Sequence, residues 1–213
     1  SLSEGLINRG IPLEERVKRI KDLLELVGIS YSYRNRYPHE FSGGQKQRIV
    51  IARALSMEPE FLVLDEPVSN LDVSIQAQII NLLSDLKEKF SLTYLFISHD
   101  LNLVSYMCDT IGVMFKGKIV EEAPSEILVS SPRHPYTRRL ISSIPGGSQR
   151  AGSQGFEQEE ESAETLAARL ASRKSSPGCP YYPFCPLGDG ECTSSAPSLR
   201  ELAGGHVVSC HKV

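Results

Sequence analysis

The sequence predicts an α/β fold with a parallel sheet, and two short apolar segments separated by a helix carry that prediction. "FLVLDEP" (61–67) and "TYLFISHD" (93–100) each predict a fully buried strand that ends abruptly in polar residues. Between them, "VSIQAQIINLLSDLKEKF" places Ile75, Ile79 and Leu83 at helical spacing. Because a strand, a helix and a strand in this order imply a crossover connection, we expect the two strands to lie parallel in one sheet.

The composition excludes several classes of protein. The chain has 213 residues, of which 40% are hydrophobic and 23% charged, so it can bury one core and add a second small module. Its net charge of -3 gives no basic field for nucleic acid, so DNA or RNA is not expected as the main partner. No apolar run approaches the roughly 20 residues of a membrane span, and no secretion signal opens the chain. We therefore expect a cytoplasmic protein that reaches a membrane only through another protein.

A glycine pair opens the helix predicted over residues 45–56, in "EFSGGQKQRIVIARAL". Ser42 is a good N-cap for this helix, and Gly43 and Gly44 let a bulky anion approach the backbone closely. The first turn of a helix presents unpaired N–H groups and the positive end of the helix dipole. Taken alone, such a stretch is a flexible helix cap about as often as it is a phosphate site.

A hairpin with a turn at Lys116 and Gly117 is predicted in "TIGVMFKGKIVEEA". Residues 112–118 nearly match the phosphate loop G-x-x-x-x-G-K-S/T, but Ile119 offers no hydroxyl for Mg²⁺ and the flanking segments are strand-like. We therefore interpret this segment as a plain hairpin turn. The 213 residues then contain no phosphate loop.

Polar residues stand where both predicted strands end. Asp65 and Glu66 follow the first strand, and His99 follows the second. Ligands of open parallel sheets bind just outside the carboxyl ends of the strands, and an acid pair there can hold Mg²⁺ and orient a water molecule toward a phosphate. The alternative is that Asp65 caps the next helix, Glu66 is merely solvated and His99 is structural. The occurrence of these residues on two neighbouring strands favours the functional interpretation.

The motifs together resemble those of ATP-binding cassette (ABC) ATPases. "FSGGQKQRIVIARAL", "FLVLDEP", "SNLD" and "FISHD", in this order, are similar to the signature motif, Walker B, D-loop and H-loop of that family. "RYPHEFSGGQ", "HPYTRRLISSIP" and the cysteine-rich tail resemble the ATPase subunits of oligopeptide and dipeptide importers. The resemblance implies a P-loop NTPase (RecA-like) sheet with a helical subdomain. The family's phosphate loop is expected before Ser1, so the 213 residues alone should bind ATP weakly and hydrolyse none.

The resemblance also assigns roles at the strand ends. Glu66 would act as general base, His99 would contact the γ-phosphate, and Asp65 would bind Mg²⁺ through water. In this family each signature helix caps the ATP that a second subunit holds. The residues implied in that contact are Ser42, Gly43, Gly44 and Gln45, with Asp72 in the D-loop at the interface.

The implied partners are those of an importer. They are a second ABC ATPase subunit, identical or related, membrane permease subunits and, indirectly, an extracytoplasmic solute-binding protein. The chain would lie peripherally on the inner face of the cell membrane and power solute uptake with ATP. The domains predicted on this basis are a helical subdomain (1–56), the distal ATPase core (57–144), a linker (145–178) and a Cys-rich module (179–213).

Four cysteines crowd the end of the chain and predict one metal site: Cys179, Cys185, Cys192 and Cys210. Their spacing fits neither a common zinc ribbon nor the usual ferredoxin run. Four thiolates can hold Zn²⁺ or a [4Fe-4S] cluster, and the family resemblance favours the cluster. Two disulfides are the alternative, although a cytosolic setting disfavours them.

Two other functions compete with the importer. One is a stand-alone metal-binding or interaction protein whose ATPase half is vestigial, but the presence together of Ser42, Glu66 and His99 argues against decay. The other is a cassette ATPase that acts on DNA. The net charge and the absence of long heptad arms argue against it.

Overall fold

The computed structural model describes residues 2–144 and 177–213, which form two compact units. One unit ends at Met107 and the other begins at Cys108. This boundary lies inside the segment 57–144 that the sequence predicts as one ATPase core. The predicted linker 145–178 lies outside the described residues apart from its last two. None of the helices in the described ranges is long and apolar enough to cross a membrane.

The first unit contains five α-helices, two short 3₁₀ helices and two strands among its described residues. Prediction and structure agree on the long helix after the first strand, and the signature helix begins two residues earlier than predicted because Ser42 caps it directly. The elements are α1 (Leu2–Asn8), α2 (Leu13–Leu26), α3 (Gly43–Leu55), β1 (Phe61–Asp65), α4 (Val73–Phe90), β2 (Thr93–Ile97) and α5 (Leu101–Met107).

Strands β1 and β2 are parallel, as predicted, with Phe61 opposite Thr93 and Asp65 opposite Ile97. The prediction that both strands are fully buried is wrong for one face. Successive side chains of a strand point to opposite faces, and α4 covers only one of them, where the Tyr94 hydroxyl donates to the Leu83 carbonyl. On the other face the described residues leave four large apolar side chains 44% to 55% exposed: Phe61, Val63, Leu95 and Ile97.

The second unit is built around an antiparallel sheet with strand order β3-β4-β6-β5. The predicted hairpin is confirmed, because Lys116 and Gly117 both have positive φ between β3 and β4. The elements are β3 (Thr110–Phe115), β4 (Lys118–Pro124), α6 (Ser125–Ser130), α7 (Pro135–Ser142), α8 (Gly190–Ser194), β5 (Arg200–Glu201) and β6 (Val207–Val208).

The cysteine-rich tail is part of this sheet, because β6 pairs with β4. A buried carboxylate strengthens the connection. Glu121 of β4 is fully buried and accepts hydrogen bonds from the backbone N–H groups of Arg133 (2.6 Å) and His134 (2.9 Å). Its Oε1 also lies 2.7 Å from Nε2 of the buried His206 in the tail. Glu121 therefore ties together the hairpin, the start of α7 and the tail.

The segment "HPYTRRL" contains the N-cap and the first six residues of helix α7. His134 caps α7 by accepting the N–H of Tyr136, and burial lowers the pKa of His134 to about 4, so the imidazole is neutral and able to accept. The ring of Tyr136 packs against Phe115 (4.8 Å between centroids) and Tyr181 (5.4 Å). This aromatic cluster and Glu121 attach the tail to the hairpin at two separate places.

Candidate functional site

Glu66 and His99 lie in direct contact at the carboxyl ends of β1 and β2. The His99 Nδ1 atom lies 2.9 Å and 3.0 Å from the two carboxylate oxygens of Glu66. The parallel register explains the contact, since the Glu66 N–H extends the ladder by donating to the Ile97 carbonyl. Both side chains are accessible to water, with 37% of Glu66 and 76% of His99 exposed.

The backbone of Glu66 is strained. Its φ is +46°, in the left-handed region that residues other than glycine rarely adopt, at a cost on the order of 1 kcal/mol. Its N–H bond to Ile97 and the Ser69 hydroxyl, which donates to the Glu66 carbonyl at 3.2 Å, hold this conformation. Strain of this kind is typical of residues whose side chain must point in a particular direction for function.

The hydrogen bond to Glu66 raises the pKa of His99, and the negative charge of the same carboxylate adds to the effect. The carboxylate therefore stabilises the protonated form of His99 relative to that of a free histidine. In that form Nδ1 donates to Glu66 and Nε2 offers a second N–H to an anion.

Replacing Glu66 with Gln is expected to lower the pKa of His99 toward its ordinary value of about 6.5, since the amide carries no charge. An NMR titration of the histidine ring protons measures this shift. His134 is the internal control, because it belongs to the other unit and burial, not a pairing with Glu66, lowers its pKa to about 4. A midpoint for His99 that is the same in both proteins would contradict the pairing.

Asp65 is the last residue of β1 and is exposed beside Glu66. The helix that follows is capped by Asp72, whose Oδ1 accepts the Ile75 N–H at 3.0 Å, so the alternative role of Asp65 as that cap is wrong. Asp65 is thus left available for water or a cation. As the N-cap of α4, Asp72 stabilises the helix by about 1 kcal/mol. Its role at an interface with a second subunit stays a prediction.

The start of the signature helix is a capping box. Ser42 Oγ accepts the Gln45 N–H (3.3 Å), and Gln45 Oε1 accepts the Ser42 N–H (3.1 Å). The Lys46 N–H bonds to the Ser42 carbonyl. The N–H groups of Gly43 and Gly44 are then the donors that an anion would meet at this helix end.

Both glycines also have a packing role that the sequence did not predict. A Cβ atom at Gly44 would lie 2.5 Å from Cγ2 of Ile75, and one at Gly43 would lie 3.2 Å from Cδ2 of Leu71. A larger residue at position 44 would therefore push α3 away from α4. Close packing of α3 against α4, besides access for an anion, therefore requires Gly44, whereas Gly43 leaves room for Leu71 of the loop before α4.

The four tail cysteines lie close together. Cys185, Cys192 and Cys210 are buried, and the Cys179 N–H donates to the Cys192 carbonyl at 2.8 Å. Burial raises the pKa of Cys185 to about 11, with smaller contributions from the three other tail cysteines. No disulfide joins them, and within residues 2–144 and 177–213 no group of three or more His, Cys, Asp or Glu side chains is arranged to hold a metal ion.

Comparison with known sequences gives two family matches along the chain. The ABC transporter profile matches residues 3–69, which include the signature helix and the strand-end acid pair. The profile described as oligopeptide/dipeptide transporter, C-terminal region, matches residues 120–192. The chain thus carries ABC transporter ATPase sequence and an oligopeptide/dipeptide transporter C-terminal region.

Individual relatives of this chain agree with both matches. It is 47% identical to the oligopeptide transport ATP-binding protein AppF of Bacillus subtilis, over 93% of this chain and 59% of AppF. It is 58% identical to OppF of the same organism, over 62% of this chain and 43% of OppF. The chain spans less than two thirds of the length of these curated relatives.

Solved ABC structures confirm the predicted fold class. The structure of cbiO1 from Clostridium perfringens, part of the ABC transporter complex cbiONQ, matches 70% of this chain and 59% of its own with a TM-score of 0.56 and 29% identity. An ATP-binding cassette of an ABC transporter in its ADP conformation matches 63% of this chain and 53% of its own, with a TM-score of 0.53 and 32% identity.

Proposed function

We propose that this chain is part of the ATP-hydrolysing subunit of an oligopeptide or dipeptide importer. The observation that carries the proposal is the Glu66–His99 pair at the carboxyl ends of two parallel strands, in a chain that carries ABC transporter ATPase sequence. The relatives named as oligopeptide transport proteins support the solute class. ATP and Mg²⁺ are the cofactors that such a subunit uses.

The strand-end residues divide the chemistry of ATP hydrolysis between them. Glu66 is exposed enough to hold an attacking water molecule and accept its proton. His99 orients the Glu66 carboxylate and, when protonated, offers Nε2–H to a phosphate oxygen. Asp65 binds Mg²⁺ through water at the same edge of the sheet.

The signature helix acts on a second ATPase subunit in this proposal. The Gly43 and Gly44 N–H groups and the dipole of the 13-residue helix α3 favour an anion at its start. That anion is the γ-phosphate of ATP held by the second subunit, and Asp72 lies in the loop that crosses the same interface. The assembly attaches to membrane permease subunits on the inner face of the membrane and receives solute from an extracytoplasmic binding protein.

The experiment that tests this function compares two proteins. The full-length gene product, with its partner ATPase and permease, is expected to release phosphate from ATP and to accelerate when a peptide-loaded binding protein is added. The 213-residue chain is expected to release none, because no phosphate-loop motif occurs in its sequence. A full-length complex without ATP-dependent phosphate release would favour the alternative, a metal-binding or interaction protein.

We further propose that the four tail cysteines hold one metal group, a [4Fe-4S] cluster in preference to Zn²⁺. Three of the cysteines are buried; Cys179, Cys185 and Cys210 lie on loops and Cys192 lies in the short helix α8 of the same small module, which has few apolar residues to stabilise it. When bound, the group would crosslink the loops around residues 179–192 and 210. Because the described side chains are not arranged for a metal, binding requires these loops to draw closer together.

Anaerobic purification followed by iron, sulfide and zinc analysis tests the metal site. Cys192→Ser is expected to lose most of the bound iron and sulfide, whereas Cys108→Ser, outside the tail, should retain them. A metal-free tail that stays folded, with its four thiols reactive toward a thiol reagent or crosslinked in pairs, would contradict the proposal.

A further inference from the structure

The loop between Glu66 and Asp72 connects the two halves of the candidate site. Pro67 and Val68 are buried, whereas Ser69 and Asn70 are exposed and Leu71 is half-buried, so side-chain packing holds the second part of the loop weakly. Its backbone makes two turn bonds, from the Ser69 N–H to the Glu66 carbonyl (3.4 Å) and from the Leu71 N–H to the Val68 carbonyl (3.2 Å). The first is longer than an ordinary N–H···O bond and the second lies at the upper end of the usual range, so these two bonds hold the loop weakly.

Gln76 provides further support from the first turns of α4. Its Nε2 atom donates to the carbonyl of Val68 and to the carbonyl of Leu71, at 3.1 Å in each case. A side-chain amide has two N–H donors, and in Gln76 both donate to carbonyl groups of this loop. The side chain is partly buried, which strengthens these bonds relative to bonds exposed to water.

The loop touches both functional elements of the unit. At one end it begins at Glu66, whose carbonyl receives the Ser69 hydroxyl and N–H. Near its other end, Leu71 packs against the Gly43 position at the start of the signature helix. A shift of the loop therefore displaces Glu66 at one end of the loop and Leu71 near the other end, both relative to Gly43.

We propose that Gln76 is a positioning residue, which fixes this loop so that Glu66 and the start of the signature helix keep their mutual placement. The bonds from Gln76 to the loop are observed in this chain. The effect of the loop position on ATP turnover rests on the proposed ATPase function. Residue 76 must therefore supply two N–H donors at the end of a side chain as long as that of glutamine.

The first test measures hydrogen exchange in the 213-residue chain. Gln76→Glu keeps the shape but removes both donors and places a negative charge against two carbonyl oxygens. We expect the Ser69 and Leu71 amides to exchange about tenfold faster or more, as local opening becomes easier. Asn81→Asp is the matched control, since it makes the same amide-to-acid change at an exposed site of α4. Unchanged exchange in Gln76→Glu would overturn the proposal.

The second test measures ATP turnover by the full-length complex. Gln76→Glu is expected to lower kcat about tenfold while the KM for ATP changes less than about twofold, because misplacement of a base affects the chemical step. A purely structural role would instead reduce the amount of folded, active protein and leave kcat per active site unchanged. Faster exchange together with a wild-type kcat would overturn the positioning role.

The two tests separate this inference from the proposed function. If the wild-type complex shows no turnover, the proposed function fails, and the exchange experiment alone then decides whether Gln76 fixes the loop.

Discussion

Replacing Glu66 with glutamine in the full-length complex is expected to reduce ATP turnover by about 10²-fold or more while ATP binding persists. The amide keeps the size of the side chain and can still accept a hydrogen bond, but it does not take a proton from water at neutral pH. The backbone strain at φ +46° applies equally to glutamic acid and glutamine, so the comparison isolates the carboxylate. Phosphate release and nucleotide binding, measured on the same preparation, separate the two effects.

Glu60→Gln provides the matched control for that experiment. Glu60 is exposed and lies directly before β1, outside the candidate site. Its replacement by glutamine is the same acid-to-amide change. It is expected to turn over ATP like the wild type. Near-normal turnover in Glu66→Gln would assign the role of base to another group, and His99→Ala would then be the variant that loses activity.

Replacing Glu121 with alanine is expected to destabilise the second unit by about 3 kcal/mol or more. The buried carboxylate accepts from the Arg133 and His134 amides and from His206, so its removal leaves three donors, two of them on buried residues, without an acceptor. The tail should then separate more easily from the hairpin. Glu121→Gln keeps one acceptor oxygen and is expected to fall between alanine and the wild type.

Denaturant unfolding of the 213-residue chain measures this loss, with the reactivity of the buried Cys210 thiol as a local probe. Glu122→Ala is the control, since the neighbouring residue is exposed on the same strand. Equal unfolding midpoints and equal thiol reactivity in the two variants would show that the Glu121 network does not hold the tail.

Several elements could be predicted from the sequence because their causes are local. The bounds of α4 follow from apolar spacing, with Asp72 as its cap. The cap at Ser42 and the turn at Lys116 and Gly117 follow from the few residue types that suit those backbone conformations. The acid pair and His99 were recognisable because the chemistry of a phosphate site demands those residue types in that order.

The element types, the strand-end residues and the resemblance to ABC ATPases could thus be read from the residues alone. The contacts between side chains of distant segments came from the packing of the elements. This packing paired Glu66 with His99, placed Ile75 where a side chain at Gly44 would stand, and joined Glu121 to His206 across 85 positions of the chain. It also left one face of β1 and β2 uncovered among the described residues. Contacts between distant segments depend on how whole elements pack, and no local spacing of residues encodes which element covers which face.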